Sequence, residues 1–426
     1  MLALKTELET RWLLYQHTDD ALFELYDAGW QQFYFGMDPT ADSLHLGNFV
    51  NFMNAIHLMR RGNTCIPLVG GATGMIGDPG GKDAERNFLS EDVLAHNVAS
   101  IQTQVAGIMD NIKAVTGEDL TVANVVNNAD FYTEMTFLQF LRDVGKYMTV
   151  NSMMTRETVK KRIEDPDKSI SYTEFSYMLI QGYDFVKLYE QGCKLQISGS
   201  DQWGNVTAGI ELIRKKLWWE AYGLTCPLIL DSSGRKFWKS EWNALWLDAS
   251  KTSHYALYQY FLNVSDDDVS RFLRLFTLMS EAQISMTVTK HNQAPQDRMG
   301  QKTLAYHVVQ IIRGTQAAQQ AQQVTEFMFA DSKVASLKDK DKKFMSSIVE
   351  QIGGVQAQDG DSIIDVVVSA WLAESRWEAK KLIQQSGISL NEVAVSDLWR
   401  VIEAIDWIGD VILLQKGKKN LRLVVR

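Results

Sequence analysis

The sequence predicts an α/β fold, in which a parallel sheet is wrapped by helices. Short apolar runs typical of buried strands cover residues 33–35, 65–69, 195–197 and 227–230. They alternate with segments whose apolar residues recur at helical spacing, a pattern typical of β-α-β units. A chain of 426 residues is long enough for about two to four domains with buried cores.

Mainly helical patterns separate the second of these strands from the third. Apolar spacing predicts helices over residues 93–115, 136–144 and 173–188. A helical block spanning 89–185 is therefore predicted as an insertion into the sheet of a body that covers residues 1–250.

The rest of the chain predicts further domains. Helical spacing continues over residues 251–327, and the charge cluster Lys338–Lys343 inside 328–345 has little to bury and indicates a linker. Residues 346–426 predict a small α+β domain. Its predicted elements are helices near 363–372 and 377–385 and strands near 411–414 and 421–425.

Charge and cysteine content restrict the class of protein. The net charge is −9, but residues 376–426 hold nine Lys/Arg and six Asp/Glu, a balance of +3, which leaves −12 for residues 1–375. A basic module on an acidic body suits local phosphate binding, although a solvated basic tail fits the charge equally well. Three widely spaced cysteines without a Cys-x-x-Cys pair indicate a reducing compartment and no metal site. The N-terminal residues lack the apolar core of a signal peptide, so we expect a cytoplasmic protein that does not bind membranes.

One segment, residues 34–48, predicts a nucleotidyl-transfer site. A strand ends near Gly36, and an apolar-periodic helix begins at or just after Gly47. His45 and Asn48 are thereby placed at a helix N-terminus. Free N–H groups and the positive end of the helix dipole favour a phosphate there.

Four cations elsewhere in the chain could contact phosphates. Segment 236–240 has the sequence Lys-Phe-Trp-Lys-Ser, and Lys236 and Lys239 could clamp the leaving phosphates. Lys82 and Arg86 lie four residues apart and would share one face of a helix, which fits either a phosphate contact or a solvated surface.

A glycine-rich segment over residues 70–82 follows the second predicted strand. Such glycine density permits positive φ angles and close approach of the backbone to a ligand. It does not match a Walker A loop, since Ile76 and Asp83 stand where that motif needs Gly and Ser/Thr. A dinucleotide fingerprint is disfavoured as well, because Ala72 stands where it needs Gly. Asp78 is placed to bind a substrate ammonium group.

Two further patterns suggest contacts with a small polar ligand. Tyr177, Gln181 and Asp184 lie at i, i+4 and i+7 and share one stripe of a predicted helix, which fits a bound ligand or a satisfied buried network. Further along, Gly199 would let a sugar approach the backbone. Asp201 fits either a ribose-binding acid or a helix N-cap.

Taken in order, these segments resemble the class I aminoacyl-tRNA synthetases, and the bacterial-type tyrosyl-tRNA synthetases in particular. The signatures at 34–48 and 236–240 carry the likeness, together with 375–383 and 416–422. The resemblance implies a Rossmann-type catalytic domain whose helical insertion forms a homodimer interface. An all-helical anticodon-side domain and a small α+β domain similar to the S4 RNA-binding fold would follow.

The resemblance also implies a reaction. Tyrosine would be activated with ATP to tyrosyl-adenylate and pyrophosphate, and then transferred to the terminal ribose of tRNA(Tyr). Mg²⁺ would accompany ATP through phosphate and water oxygens, without a dedicated protein site.

Each residue that matches the family pattern thereby acquires an implied role. Stabilisation of the transferring phosphates is implied for Thr40, His45, Asn48, Lys82, Arg86, Lys236 and Lys239. Tyrosine binding is implied for Tyr34 and Asp184 at the phenol and for Asp78, Tyr177, Gln181 and nearby Gln196 at the ammonium group. ATP binding is implied for Gly36, Asp38, Gly47, Gly199, Asp201, Gln202 and Lys239. Contact with tRNA phosphates is implied for Arg376, Lys380, Lys381, Lys418 and Lys419.

Three residues differ from the family pattern. Asn48 stands where the first signature usually ends in His, Trp238 where the tyrosyl branch has Gly, and Ser198 where a Gly lies beside the ATP ribose. Asparagine carries no charge at any pH, and an indole in a closing loop changes how that loop can move. A paralogue with another acceptor, or an inactive RNA-binding protein, is therefore the alternative to a tyrosine–tRNA ligase.

Overall fold

The computed structural model describes residues 2–78, 89–165, 169–230, 245–330, 332–338, 342–417 and 420–426. The chain forms two compact units. The first comprises Met1–Lys251 and Asn263–Gly314, and the second comprises Thr252–Leu262 and Thr315–Arg426. Residues 251–327, which the sequence predicts as one helical domain, are thus divided between the two units.

The helices and strands are numbered in chain order. Those up to residue 165 are α1 Leu4–Thr10, β1 Gln16–His17, α2 Ala21–Asp27, β2 Gln32–Met37, α3 Leu46–Met59, β3 Thr64–Val69, α4 Gly71–Ile76, α5 Glu91–Thr116, β4 Val126–Asn127, α6 Phe137–Asp143, α7 Val150–Met154 and α8 Glu157–Glu164. Those from 169 to 314 are α9 Tyr172–Glu190, β5 Cys193–Gly199, α10 Trp203–Leu217, β6 Tyr222–Cys226, α11 His254–Leu262, α12 Asp266–Phe276, α13 Glu281–Gln293 and α14 Met299–Arg313. The remainder are α15 Thr315–Met328, α16 Lys333–Lys338, α17 Lys342–Ile352, β7 Gly354–Gln356, α18 Ile363–Ser369, α19 Arg376–Gln384, β8 Ile388–Leu390, β9 Val393–Ala394, β10 Val411–Lys416 and β11 Asn420–Val425.

A six-stranded sheet of order β1-β6-β5-β2-β3-β4 forms the core of the first unit. All neighbours are parallel except β1 and β6, which are antiparallel. The predicted α/β class is therefore confirmed. Tyr34 on β2 is the register partner of both Ile66 on β3 and Gln196 on β5, so the central strands bring distant segments side by side.

The predicted strand at 227–230 is wrong, because β6 ends at Cys226. Two features explain why the strand lies earlier in the chain than predicted. Pro227 has no N–H to continue the ladder. Within β6, a Cβ on Gly223 would lie 2.4 Å from Val206 Cγ1, so close packing against α10 requires glycine and interrupts the apolar run.

Helix α1 is tied to α3 by a buried charged cluster. The Glu7 carboxylate accepts a 2.7 Å hydrogen bond from Arg61 and lies 2.9 Å from Nδ1 of His57. Burial lowers the pKa of His57 to about 4, against the raising influence of Glu7. Burial alone would raise the pKa of Glu7. The hydrogen bonds and charges of His57 and Arg61 together have a larger effect and lower this pKa to about 2. The cluster fixes the helix whose N-terminus reaches the cleft described below.

The second unit contains a five-stranded sheet of order β7-β11-β10-β8-β9. The helices predicted near 363 and 377 and the strands predicted near 411 and 421 are present, whereas β7, β8 and β9 were not predicted. The described part of 328–345, the predicted linker, includes α16 and the start of α17. Leu337 on α16 packs with Ile348 in a buried apolar cluster.

Within the described ranges, no helix has both the length and the apolar character needed to cross a membrane. All three cysteines, Cys65, Cys193 and Cys226, are free thiols and buried.

Candidate active site

A cleft in the first unit is lined by the carboxyl ends of β2, β5 and β6 and by one face of α9, the usual position for ligands in an open α/β sheet. It brings together every described residue to which the sequence gives a role with tyrosine, ATP or phosphate. These are Tyr34, Gly36, Asp38, Thr40, His45, Gly47, Asn48, Asp78, Tyr177, Gln181, Asp184, Gln196, Gly199, Asp201 and Gln202. The predicted cations Lys82, Arg86, Lys236 and Lys239 lie outside the described residues.

Tyr34 and Asp184 form the most deeply buried end of the cleft, and each is only 1% exposed. The Tyr34 hydroxyl has no hydrogen-bond partner among the described residues. Burial, with the nearby Asp184, raises the pKa of Tyr34 well above its usual value, so the phenol stays protonated and can donate. A buried hydroxyl without a partner is costly, which points to a ligand that supplies one.

The Asp184 carboxyl is held by two side chains. Asn128 Nδ2 donates to one of its oxygens at 2.8 Å, and the Tyr132 hydroxyl lies 2.8 Å from the other. The same hydroxyl lies 2.8 Å from the carbonyl of Ile180, and its single proton can serve only one acceptor. Burial raises the pKa of Asp184 to about 8 despite both hydrogen bonds. A protonated Asp184 can donate to the Tyr132 oxygen, which leaves that hydroxyl free to donate to Ile180.

Asn128, Thr73 and Tyr132 were not identified from the sequence. Asn128 links Asp184 to the glycine-rich segment, because its Oδ1 accepts the N–H of Ala72 at 2.7 Å and its Nδ2 lies 3.3 Å from Thr73 Oγ1. Thr73 in turn donates to Asp38 at 2.8 Å. The available signal was a polar residue directly after a short strand, since Asn128 follows β4.

Tyr177 and Asp38 connect the two predicted halves of the site. The Tyr177 hydroxyl donates to Asp38 Oδ2 at 2.9 Å. The residue assigned to the tyrosine ammonium and the residue assigned to ATP are therefore in direct contact.

The glycines at the start of the glycine-rich segment serve close packing. A Cβ on Gly70 would lie 2.1 Å from Thr73 Oγ1 and 2.5 Å from Asp38 Oδ1. A Cβ on Gly71 would lie 2.2 Å from Asn127 Oδ1. These positions require glycine because polar side chains of the site pack directly against the backbone.

Asp78 and Gln202 are also in contact, with Gln202 Nε2 donating to Asp78 Oδ2 at 2.5 Å. Asn205 Nδ2 donates to the side-chain oxygen Oε1 of Gln202 at 2.9 Å, which fixes the orientation of the Gln202 side-chain amide. In contrast, Oε1 of Gln181 and Oε1 of Gln196 are buried without a hydrogen-bond partner among the described residues. Both side chains line the cleft, and both oxygens can accept from a ligand.

Helix α3 begins at Leu46, with His45 as its N-cap residue. The predicted helix N-terminus at the site is thus present. Asn48 Oδ1 accepts the His45 backbone N–H at 3.1 Å, so the asparagine that departs from the family pattern helps to cap the helix. Its amide nitrogen remains the part of the side chain that can donate to a phosphate.

Ser198, another departure, is buried, and its hydroxyl lies 3.3 Å from the carbonyl of Gly199. A Cβ on Gly199 would lie 2.7 Å from Asp201 Oδ1. The backbone there leaves room for the Asp201 carboxylate, and the added serine hydroxyl turns towards the main chain.

Two family models match the chain. The model described as tRNA synthetases class I (W and Y) matches residues 29–330. A model described as the tyrosine–tRNA ligase SYY-like C-terminal domain matches residues 317–424. The tyrosine–tRNA ligase of Streptococcus gordonii is 44% identical over 417 residues, which cover 97% of both chains. The chain belongs to the tyrosine–tRNA ligases.

Other members of the tyrosine–tRNA ligases agree over most of the chain. The enzyme of Bacteroides fragilis is 43% identical over 401 residues, 92% of each chain. Among solved structures, a C-terminally truncated mitochondrial tyrosyl-tRNA synthetase of Aspergillus nidulans is 30% identical with a TM-score of 0.71. That match covers 77% of this chain and 95% of the fungal one. The predicted family, fold class and enzyme class are confirmed.

The charged side chains that line the cleft of this tyrosine–tRNA ligase, among the residues described, are all carboxylates. They belong to Asp38, Asp78 and Asp201, while burial raises the pKa of Asp184 to about 8 and keeps its carboxyl neutral at pH 7. Carboxylates around the cleft favour a ligand with an ammonium group. Binding of negative phosphates would depend on the predicted cations Lys82, Arg86, Lys236 and Lys239, which lie outside the described residues. No group of three or more His, Cys, Asp or Glu in the described ranges is arranged to hold a metal ion.

Proposed function

We propose that this tyrosine–tRNA ligase forms tyrosyl-adenylate in the cleft between Tyr34 and the N-terminus of α3. The observation that carries the proposal is a set of buried polar atoms without partners among the described residues. The Tyr34 hydroxyl, Gln181 Oε1 and Gln196 Oε1 all line this one cleft. A buried polar atom without a partner costs roughly 1–3 kcal/mol, so a polar ligand that satisfies three of them gains affinity and orientation together.

Tyrosine has the matching groups. Its phenol hydroxyl would reach Tyr34 and Asp184 at the buried end, where Asn128 and Tyr132 hold the carboxyl in place. Its ammonium group would donate to Asp78, Tyr177 and Gln181, with Gln196 nearby, and the carboxylates of the cleft favour that positive charge. Phenylalanine would leave Tyr34 and Asp184 without a hydroxyl partner, and this difference is the basis of selectivity.

ATP would occupy the other end of the cleft. Gly36, Asp38, Gly47, Gly199, Asp201 and Gln202 would contact the nucleoside, and the N-terminus of α3 would face the phosphates. Thr40, His45 and Asn48 would donate to the phosphoryl group in transfer, with Lys82, Arg86, Lys236 and Lys239 supplying positive charge. Mg²⁺ would bind through phosphate and water oxygens, and no residue is assigned to it.

The chemistry needs positioning more than covalent participation of the protein. A carboxylate oxygen of tyrosine forms a bond to the α-phosphorus, the bond from that phosphorus to the pyrophosphate oxygen breaks, and pyrophosphate leaves. In the second step a terminal ribose hydroxyl of tRNA(Tyr) attacks the carbonyl of the adenylate, and AMP leaves. Donors at the helix N-terminus would stabilise the charge that develops on phosphate oxygens.

The second unit supplies the proposed tRNA contacts. Arg376, Lys380 and Lys381 lie on α19 and are largely exposed. Arg376 forms a 3.0 Å ion pair with Asp365, so part of its charge is already balanced. Lys380 and Lys381 are therefore the stronger candidates for phosphate contact, while Lys418 and Lys419 lie outside the described residues.

A second copy of this chain is the proposed partner of α6. This helix has no buried residue, and Phe137 and Leu138 are 64% and 76% exposed. Val150 and Met154 on α7 add further exposed apolar surface from the same segment. Apolar patches of this kind are uncommon on monomers, and two-fold symmetric dimers are the commonest oligomers.

We also expect the enzyme in the cytoplasm, with 1–250 as catalytic body and 346–426 as S4-like domain.

Charging of tRNA(Tyr) with labelled tyrosine tests the proposed reaction. We expect charging that requires ATP and is not supported by phenylalanine. Adenylate formation without charging would instead indicate the paralogue with another acceptor. RNA binding without either step would indicate the inactive RNA-binding protein.

A further inference from the structure

Four tryptophans have backbone conformations that favour glycine. The φ angles of Trp12, Trp30, Trp218 and Trp371 are 60°, 64°, 63° and 56°. Among the described residues, eight other than glycine have a positive φ, and these four make up half of them. The whole chain contains only 12 tryptophans. A bulky side chain in the left-handed region is an outlier, because its Cβ crowds the following carbonyl oxygen.

Three of these tryptophans end helices. Trp12 and Trp371 follow α1 and α18, and the next residue in each case bonds back to the carbonyl five positions earlier: Leu13 to Leu8 at 2.8 Å and Leu372 to Val367 at 3.1 Å. This is the hydrogen bond of a Schellman motif, whose left-handed residue is usually glycine.

Trp218 ends α10 in the same conformation that a glycine adopts after another helix. Its φ and ψ are 63° and 29°, and its N–H bonds to the carbonyl of Arg214. Gly117 after α5 has φ and ψ of 66° and 13°, and its N–H bonds to the carbonyl of Lys113. Gly62, Gly192 and Gly353 follow α3, α9 and α17 with φ of 78°, 103° and 81°. Glycine and tryptophan thus share one structural position in this fold.

The four side chains are also mostly in solvent. Trp30, Trp218 and Trp371 are 91%, 87% and 86% exposed, and Trp12 is 55% exposed. Tryptophan is normally among the more buried residues, since its ring has a large apolar area. Packing of the indole therefore does not compensate for the strained backbone.

Other tryptophans of the chain behave differently. Trp203 is half-buried at the start of α10 with φ of −52°. Trp246 is half-buried, forms a β-bridge with His45 and has the Lys251 ammonium 5.6 Å from its ring. Trp203 and Trp246 therefore have structural partners that the four tryptophans at glycine-like positions lack.

We infer that the protein made in its own cells carries glycine at positions 12, 30, 218 and 371. The codon UGA differs by one base from the tryptophan codon UGG and by one base from the glycine codon GGA, and its reading differs between genetic codes. A gene that uses UGA for glycine shows tryptophan at those positions when it is read by a code that assigns UGA to tryptophan. Positions encoded by UGG are tryptophan under either code, and we expect Trp203 and Trp246 to be of this kind.

The second signature supports the same inference without any structural information. Trp238 in Lys236-Phe-Trp-Lys-Ser240 stands where the tyrosyl branch has glycine. With glycine at position 238 this departure from the family disappears.

Peptide mass spectrometry of the enzyme purified from its own cells is the direct test. We expect glycine masses for the peptides that contain positions 12, 30, 218 and 371, and tryptophan masses for those with 203 and 246. Tryptophan masses at all four positions would overturn the inference.

The backbone argument can be tested separately by urea unfolding of the full chain with the sequence as written. Trp218→Gly and Trp371→Gly should each raise the ratio of folded to unfolded protein by about five- to thirty-fold, because a left-handed residue other than glycine is strained. Trp219→Gly is the matched control, since Trp219 is an exposed neighbour without a positive φ. It should bring no comparable gain. Equal effects at 218 and 219, or a loss of stability at both 218 and 371, would contradict the inference.

Discussion

Replacing Asp184 with asparagine removes a buried carboxyl group while keeping the size of the side chain. The surrounding network can accommodate the amide. The new carbonyl oxygen can still accept from Asn128, and the new amide can donate to the Tyr132 oxygen, which then donates to Ile180. The substitution should therefore leave the fold intact and act on the bound phenol.

The expected magnitude follows from the type of bond that is lost. At a pH above about 8, where Asp184 is ionised, a hydrogen bond from the phenol to this charged acceptor contributes about 1.5–3 kcal/mol, which corresponds to roughly a 10- to 150-fold decrease in kcat/KM for tyrosine. Phenylalanine has no hydroxyl, so its kcat/KM should change little. The ratio of kcat/KM between the two amino acids should fall by the same factor.

The substitution should also change the pH dependence of stability. Burial raises the pKa of Asp184 from 3.8 to about 8, so the folded protein holds this proton between those values while the unfolded chain releases it. The proton on Asp184 therefore adds to the free energy of unfolding. This contribution is fully present below pH 3.8 and is lost as the pH rises through about 8. Urea unfolding of Asp184→Asn should lack this loss.

Single-turnover measurement of adenylate formation with each amino acid, and with ATP varied, is the assay for selectivity. Tyr34→Phe is the matched control, since it removes a neutral partner of the same phenol and should cost about 0.5–1.5 kcal/mol. An unchanged tyrosine-to-phenylalanine ratio in both variants would refute the assignment of the phenol end. A selective loss of ATP binding would refute it as well.

Three further outcomes are expected. Reversing the charges of Lys380 and Lys381 together should weaken tRNA binding and reduce its salt slope by about 1 per lysine, with adenylate formation unchanged; equal effects on both steps would exclude a role limited to RNA. Leu138→Asp should give a monomer in analytical ultracentrifugation, whereas a retained dimer would exclude α6 as the interface. In the Asp184→Asn variant, which lacks the opposing titration of Asp184, the free energy of unfolding should fall as pH drops from 6.5 towards 4, because His57 binds a proton in the unfolded chain but stays neutral in the folded protein. It should fall further from 4.5 towards 2 as Glu7 is protonated. A flat urea-unfolding profile of this variant over both ranges would contradict the buried cluster.

The central strands were predictable because buried parallel strands appear as continuous apolar runs. Strand β6 was misplaced for a local reason. Gly223 and Thr225 interrupt its apolar pattern, while the neighbouring Leu228 and Leu230 resemble a strand although both are partly exposed. Burial, which separates the two segments, is a property of the packed fold and cannot be read from local composition.

The candidate site was predictable where one element carries several of its residues. Tyr177, Gln181 and Asp184 share one face of α9, and helical periodicity revealed them. Asn128 and Thr73 lie on separate segments, and their importance depends on hydrogen bonds across 55 or 56 residues of sequence. Such contacts are set by the order of strands in the sheet, so a single sequence does not reveal them.

The linker prediction at 328–345 rests on composition, and residues 339–341 of its charge cluster lie outside the described residues. Several lysines and aspartates surround Leu337, yet this residue and Val334 pack α16 against a buried apolar cluster of the second unit.

Tyrosine-dependent ATP–pyrophosphate exchange tests the central claim, that the cleft forms tyrosyl-adenylate. The claim requires exchange that depends on tyrosine and that phenylalanine does not support at comparable concentrations. Above a pH of about 8, where Asp184 is ionised, Asp184→Asn should weaken this exchange by about 10- to 150-fold. Absence of tyrosine-dependent exchange in the folded enzyme, or equal exchange with phenylalanine, would contradict it.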